Sequence, residues 1–257
     1  MKNTNLTFDV ETAGEVWAPL IYDIGWVITS NHGKTVKKRR FIIEEIFEEK
    51  SLMDSAYYSN KVDVHYKELD HIKIKFLDML KIFRKDIKDF NVNQVMAYNL
   101  NFDIRALVNS YQRILAKGKR SLTYKDDKID YKKSFKDIVK GDYKFLDIWG
   151  LVCETVLLKE EFQEFVLDNG YLTEKGNYKT NAEVTYRFMF DDDYYIEKHT
   201  GLEDAIDESM IYHNLNKKEV YKSKTYKKGF CGSPWRVVKN FFKKNWKSAW
   251  QIAKRLI

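Results

Sequence analysis

Two carboxylates sit two residues apart in an otherwise apolar run, Asn5-Leu-Thr-Phe-Asp9-Val-Glu11. In a strand, residues i and i+2 share a face, so Asp9 and Glu11 stand side by side, short of water and repelling each other. Protonation or a bound cation relieves such repulsion. Hard divalent ions such as Mg²⁺ take carboxylate oxygens and keep positions open for water and phosphate. The plain alternative is a solvated edge strand with two harmless acids. A second group is Tyr98-Asn-Leu-Asn-Phe-Asp103, where a strand ends and a helix begins. Asn99 or Asn101 can cap that helix, and an acid in its first turn suits the helix dipole, so Asp103 also has a local explanation. The third group is His199-Thr-Gly-Leu-Glu-Asp204, at the head of another helix. A histidine beside acids suits proton transfer near neutral pH, and a surface histidine at a helix start is the alternative.

The elements that must position these groups can be read from periodicity. Residues 5–11 alternate as a strand, and 20–29, rich in Ile, Val, Tyr and Trp, form a second. A turn at 31–34 leads to a third at 36–43, making a meander. Ile72, Phe76, Leu77, Leu80, Phe83 and Ile87 have helical spacing, which predicts a helix over 70–89. Short strands are expected at 94–98 and 144–148, with a helix over 101–115 between them. Helices follow at 149–157, 160–168, 181–189 and 201–214. Residues 117–143, rich in Lys and Asp, read as an exposed insertion or loop. Three strands, then helix, strand, helix, strand and helices, make an α/β domain around a mixed sheet.

In order, spacing and context, the three chemical groups together resemble the motifs of the DEDD superfamily of 3′–5′ exonucleases. Phe8-Asp9-Val10-Glu11-Thr12-Ala13 is similar to the first motif and Asn99-Leu-Asn-Phe-Asp103 to the second. His199-x-Gly-x-x-Asp204 resembles the third in the histidine-bearing subgroup; the tyrosine subgroup would want Tyr where Thr200 stands. Tyr22-Asp-Ile-Gly25-Trp-Val and Leu146-Asp147-Ile-Trp-Gly-Leu151 resemble further strands of the family. Ala13 departs from a frequent Thr, and Gly201 from a frequent Ala that glycine should replace without harm.

The resemblance spans roughly residues 5–215 and implies a ribonuclease H-like α/β fold: a mixed sheet flanked by helices. It implies that Asp9, Glu11, Asp103 and Asp204 bind two divalent ions, Mg²⁺ with Mn²⁺ as an alternative, and that His199 is the general base. Thr12, Ala13 and Phe102 would lie against the terminal nucleotide. Asp147 and Asp207 lie near the motifs but are left out of the metal set. The implied activity is metal-dependent hydrolysis at the 3′ ends of single-stranded nucleic acid, DNA before RNA. The implied partners are those strands and a separate polymerase or other replication protein. Two rivals stay open: a non-catalytic nucleic-acid or protein-binding module on the same fold, and an endonuclease or specialised phosphodiesterase.

Charge divides the chain at the same place. The 257 residues carry a formal net charge of +7, but residues 217–257 alone carry +12, leaving −5 for the first 216. An exonuclease domain over 1–216 and a basic extension over 217–257 are therefore expected. In the extension, a lysine-rich connector runs from 217 to 228. Beyond Pro234, residues Trp235, Val238, Phe242, Trp246, Ala249, Ala253 and Leu256 mark one face of an amphipathic basic helix. That helix can dock on the body, bind nucleic acid, or engage a protein or membrane surface. No apolar run reaches the ~18–20 residues that span a bilayer, so no membrane span is expected. Two cysteines and no secretory leader fit a reducing, cytoplasmic location.

Overall fold

The computed structural model describes residues 3–59, 66, 72–116 and 129–228. The first strand, β1 (Thr4–Ala13), pairs antiparallel with β2 (Leu20–Ser30), and β2 with β3 (Thr35–Ile43). Two short helices follow, α1 (Glu44–Phe47) and α2 (Lys50–Met53). A two-residue strand β4 (Lys73–Ile74) precedes α3 (Phe76–Asp89), so the helix expected from residue 70 starts six residues later. Its first residues instead pair parallel with the end of β3. Then come β5 (Val92–Ala97), α4 (Leu100–Leu115), α5 (Tyr131–Val139) and β6 (Lys144–Asp147). The chain continues through α6 (Ile148–Thr155), α7 (Glu160–Asp168), α8 (Ala182–Phe190) and α9 (Gly201–Asn214).

The six-stranded sheet has the order β4-β3-β2-β1-β5-β6, with β5 parallel to both β1 and β6. This mixed sheet with helices on both faces is the ribonuclease H-like α/β arrangement that the sequence led us to expect. Strand alternation sorts the faces. Leu6, Phe8 and Val10 of β1 and Val95 and Ala97 of β5 pack with α3, α4 and α5. Met96, between Val95 and Ala97, packs on the other side with α6, α7, α8 and the end of α9. Aromatic edges lock the first face: Phe8 meets Phe83 at 5.8 Å and Phe135 at 5.9 Å between ring centroids. Residues Asn5, Thr7, Asp9 and Glu11 therefore look the other way, toward α9, which lies across β1 and β2.

The stretch 117–143 is not all insertion. Residues 117–128 lie outside the described residues, but Asp130 caps α5 by accepting from the Lys133 N–H at 3.0 Å. Phe135, Ile138 and Val139 of α5 are buried in the first core. Lys133, Lys136 and Lys140 around them are exposed and disguise the apolar face. The lysine-rich segment after residue 216 is likewise more than a connector. It forms α10 (Lys217–Lys222) and α11 (Lys224–Lys228), both packed on α6 with Val220 and Thr225 buried. The amphipathic helix expected beyond Pro234 lies outside the described residues. Among the described residues, no helix is long and apolar enough to cross a membrane.

Candidate active site

Asp9 and Glu11 lie at the carboxyl end of β1, in the place where open α/β sheets gather ligands. The antiparallel register sets Gly25 opposite Asp9 and Asp23 opposite Glu11. Asp103 arrives in the first turn of α4, directly after β5. Asn99 occupies the N-cap position, but with φ of 69° and no side-chain hydrogen bond to the helix, so the expected side-chain cap is not made. The left-handed residue serves instead to turn the chain so that Asp103 points back over β1. Asp204 lies in the first turn of α9, and His199 just precedes it at φ 55°, a conformation histidine tolerates better than most residues.

Tertiary contacts hold the start of α9 in place. Gly201 N–H donates to Asp23 Oδ2 at 3.2 Å, so an acid of β2 fills the role of the N-cap. Tyr66 O–H donates to the same oxygen at 2.8 Å. Glu203 accepts from the Thr200 hydroxyl at 2.6 Å and pairs with Arg40 of β3. Gly25 and Gly201 meet backbone to backbone. A Cβ on Gly201 would lie 2.6 Å from Gly25 N and 2.9 Å from the Asp9 carbonyl oxygen, so in this chain an alanine there would force these backbones apart.

The acids converge. Glu11 is 8% exposed, Asp204 4% and Asp103 1%. Burial pushes the Asp9 carboxyl up to about 8, helped by the charges of Glu197 and Asp23. Burial first and neighbouring carboxylates second hold Glu11, Asp103 and Asp204 well above the usual carboxylate range. Asp9 is among those neighbours for all three, which makes the four one electrostatic unit. Glu11, His199 and Asp204 each bring a ligand atom within 4.8 Å of the others. Asp103 Oδ2 and Asp204 Oδ1 are buried with no hydrogen-bond partner among the described residues. Such groups cost free energy unless something pairs with them, and a divalent cation fits an oxygen-rich, negatively charged donor set. The residues therefore fit a divalent metal centre.

A consequence for stability follows. A carboxyl whose folded pKa is raised favours the fold below its unfolded value and loses that contribution as pH climbs through the folded value. For Asp9 the window runs from about 4 to about 8. His213 acts oppositely: burial first, then Lys217, holds it at about 4, so its contribution grows with pH only up to its ordinary 6.5. Between pH 6.5 and 8 in EDTA the melting temperature should fall. Excess Mg²⁺ or Mn²⁺ should remove most of the fall; parallel curves with and without metal, by scanning fluorimetry, would show that no ion relieves the cluster.

The sequence reading did not single out three further acids. Asp23 is set beside Glu11 by strand register, which the pattern of β2 alone does not reveal. Glu208 follows Asp204 by one helical turn, is buried, and accepts from Tyr98 N–H at 3.0 Å; its i+4 spacing was the available signal. Glu197 Oε2 lies 3.9 Å from His199 Nδ1. The two acids set aside have structural duties. Asp147 caps α6 by accepting from Gly150 N–H at 2.9 Å, and Asp207 accepts from Tyr195 O–H at 2.5 Å. Of the expected substrate contacts, Thr12 and Phe102 are half-buried. Ala13 is 1% exposed, so it offers almost no open surface for the expected nucleotide contact.

No known family profile matches the sequence, and no curated protein does. Solved structures do. A product-bound exonuclease I is 11% identical with a TM-score of 0.51, over 95% of this chain and 46% of that one. An apo exonuclease I is 10% identical with a TM-score of 0.50, over 95% and 45%. E. coli exonuclease I in complex with a dA16 oligonucleotide is 12% identical with a TM-score of 0.51, over 94% and 43%. The chain spans less than half the length of these structures. At this identity the likeness is one of fold, and this chain shares the fold of the exonuclease I structures.

Proposed function

We propose that this chain is a metal-dependent 3′–5′ exonuclease that hydrolyses single-stranded ends, DNA in preference to RNA. The observation that carries the reading is convergence: Asp9, Glu11, Asp103 and Asp204, from three distant motifs, form one electrostatic unit beside His199. The fold shared with exonuclease I supports it. Asp9, Glu11, Asp103 and Asp204 would hold two divalent ions. Such ions, when bound, neutralise phosphate charge, lower the pKa of water and stabilise the leaving oxygen. His199 takes the proton from the attacking water. Its Nδ1 lies 3.9 Å from Glu197 Oε2, a charge close enough to favour the imidazolium that forms. Tyr58 stacks on the same imidazole, 3.9 Å between centroids and 16° between planes, and restricts its rotation.

The test is digestion of matched DNA and RNA oligonucleotides, each blocked at the 3′ or the 5′ end, with Mg²⁺ and with EDTA. Shortening of 5′-blocked DNA only, abolished by EDTA, is the expected result. No cleavage of any strand favours the binding-module reading, and cutting of a circle favours an endonuclease.

The closeness of His199 to Glu11 and Asp204 supports a second reading of that residue, as a ligand rather than a base. His199→Gln separates the two. As a base, its loss lowers kcat about 10²–10⁴-fold and leaves the Mn²⁺ concentration for half-maximal thermal stabilisation unchanged. As a ligand, its loss raises that concentration as well.

A further inference from the structure

We infer that the cavity lined by Tyr98, Trp149 and Tyr178 is a base-stacking subsite for the nucleotide next to the terminal one; this rests on the nuclease reading above. The cavity measures about 290 Å³, the size of one ring system rather than of an extended ligand, and Asn99, Thr180 and Asn181 complete its wall. Three aromatic rings with amides at their edges match a nucleobase, which offers a π face and a polar rim.

Two of the rings are held before any ligand arrives. Trp149 Nε1–H donates to Thr180 Oγ1 at 2.9 Å. The Tyr98 hydroxyl donates to the Thr180 carbonyl and lies 2.9 Å from Thr185 Oγ1. Stacking on rings already fixed costs little ordering entropy.

The cavity and the acid cluster share a wall. Tyr98 N–H donates to Glu208, and Asn99 is the N-cap residue of α4, four positions before Asp103. The terminal nucleotide is expected on the Thr12 and Phe102 side of the same turn, which leaves the Tyr98 side for its neighbour. Charge points the same way. Lys179 is exposed at the cavity wall. Helix α6 carries Trp149 and, at Gly150, touches Thr225 of α11, where Lys224, Lys227 and Lys228 are exposed. A strand leaving the acid cluster through the cavity meets cations outside it, which suits its phosphates.

The experiment uses the full chain in Ca²⁺ and 5′-fluorescein oligothymidylates in which one abasic residue is walked inward from the 3′ end. Base–aromatic stacking is worth ~1–3 kcal/mol per base, so loss of the right base should weaken binding roughly 10- to 100-fold. Anisotropy should show that penalty at the second residue, and a penalty confined to any other residue overturns the assignment. In Trp149→Ala the penalty at that residue should vanish, and in Trp149→Phe it should persist. A wild-type profile flat within about twofold overturns the subsite, and that measurement needs no variant to fold. An identical penalty in Trp149→Ala overturns it too. Cleavage with Mg²⁺ is scored separately: a wild type that shows the abasic penalty but cuts nothing keeps the subsite and removes the nuclease reading.

Discussion

Asp9→Asn is expected to lower the rate of nucleotide release about a thousand-fold or more while raising the melting temperature measured in EDTA. The first effect follows from the proposal that Asp9 would help to hold the ions: losing ~4 kcal/mol of transition-state stabilisation is about a thousand-fold in rate. The second follows from the cluster itself. Asp9 raises the carboxyls of Glu11, Asp103, Asp204 and Glu208, and is itself pushed up to about 8. An uncharged amide of the same shape removes a charge from that group and should flatten the loss of stability between pH 6.5 and 8. About 1 kcal/mol moves the melting temperature of a domain this size by ~2–4 °C, so a rise of several degrees is within reach of calorimetry. A merely structural acid would behave the other way, losing stability and leaving activity proportional to the folded fraction. Full activity in Asp9→Asn with Mg²⁺ would falsify the metal-site assignment.

Gly25→Ala should be the most damaging single methyl in the described fold. A Cβ there meets the backbone of Gly201 and Leu202, not the movable end of a side chain. Overpacking of a core usually costs ~1–3 kcal/mol, and a backbone obstacle belongs at or beyond the upper end. The start of α9 must move off β2, breaking the Gly201 N–H to Asp23 hydrogen bond and carrying Asp204 away from Asp9. Urea denaturation should show a midpoint well below wild type, and the soluble fraction should lack nuclease activity even at saturating Mn²⁺. Gly150→Ala is the useful contrast. The atoms nearest its Cβ belong to the Thr225 side chain, the first at 3.0 Å, so α11 can shift while the acids stay in place.

The candidate site residues were legible because strand and helix periodicities are local. The i, i+2 pair in β1 and the acids in the first turns of α4 and α9 are each set by one element. What was not legible depends on partners distant in sequence. Asp23 is 12 residues from Glu11 along the chain yet directly across from it, and register cannot be read from one strand. It also caps the start of α9, where the Thr200 hydroxyl turns to Glu203 rather than to a helix N–H. Helix α5 was hidden by composition, since lysines dominate a segment whose Phe135, Ile138 and Val139 are nonetheless core. The two-residue β4 was invisible because its strand character comes from pairing with β3, not from its own sequence. A buried acid alone is also no sign of a site: Asp86 is equally buried, but Arg39 at 3.0 Å and the Trp26 indole at 3.1 Å satisfy it.

The docking of α9 on the first two strands also sets when the acid cluster is complete. Asp9 and Glu11 precede His199 and Asp204 by nearly two hundred residues. Contacts so far apart in sequence form slowly, since the entropy of closing the loop is lost before they repay it. A ribosome-bound chain that ends before α9 can form part of the sheet but not the cluster. Under the proposed function, hydrolysis therefore waits until the helix bearing the last acid has docked on the sheet.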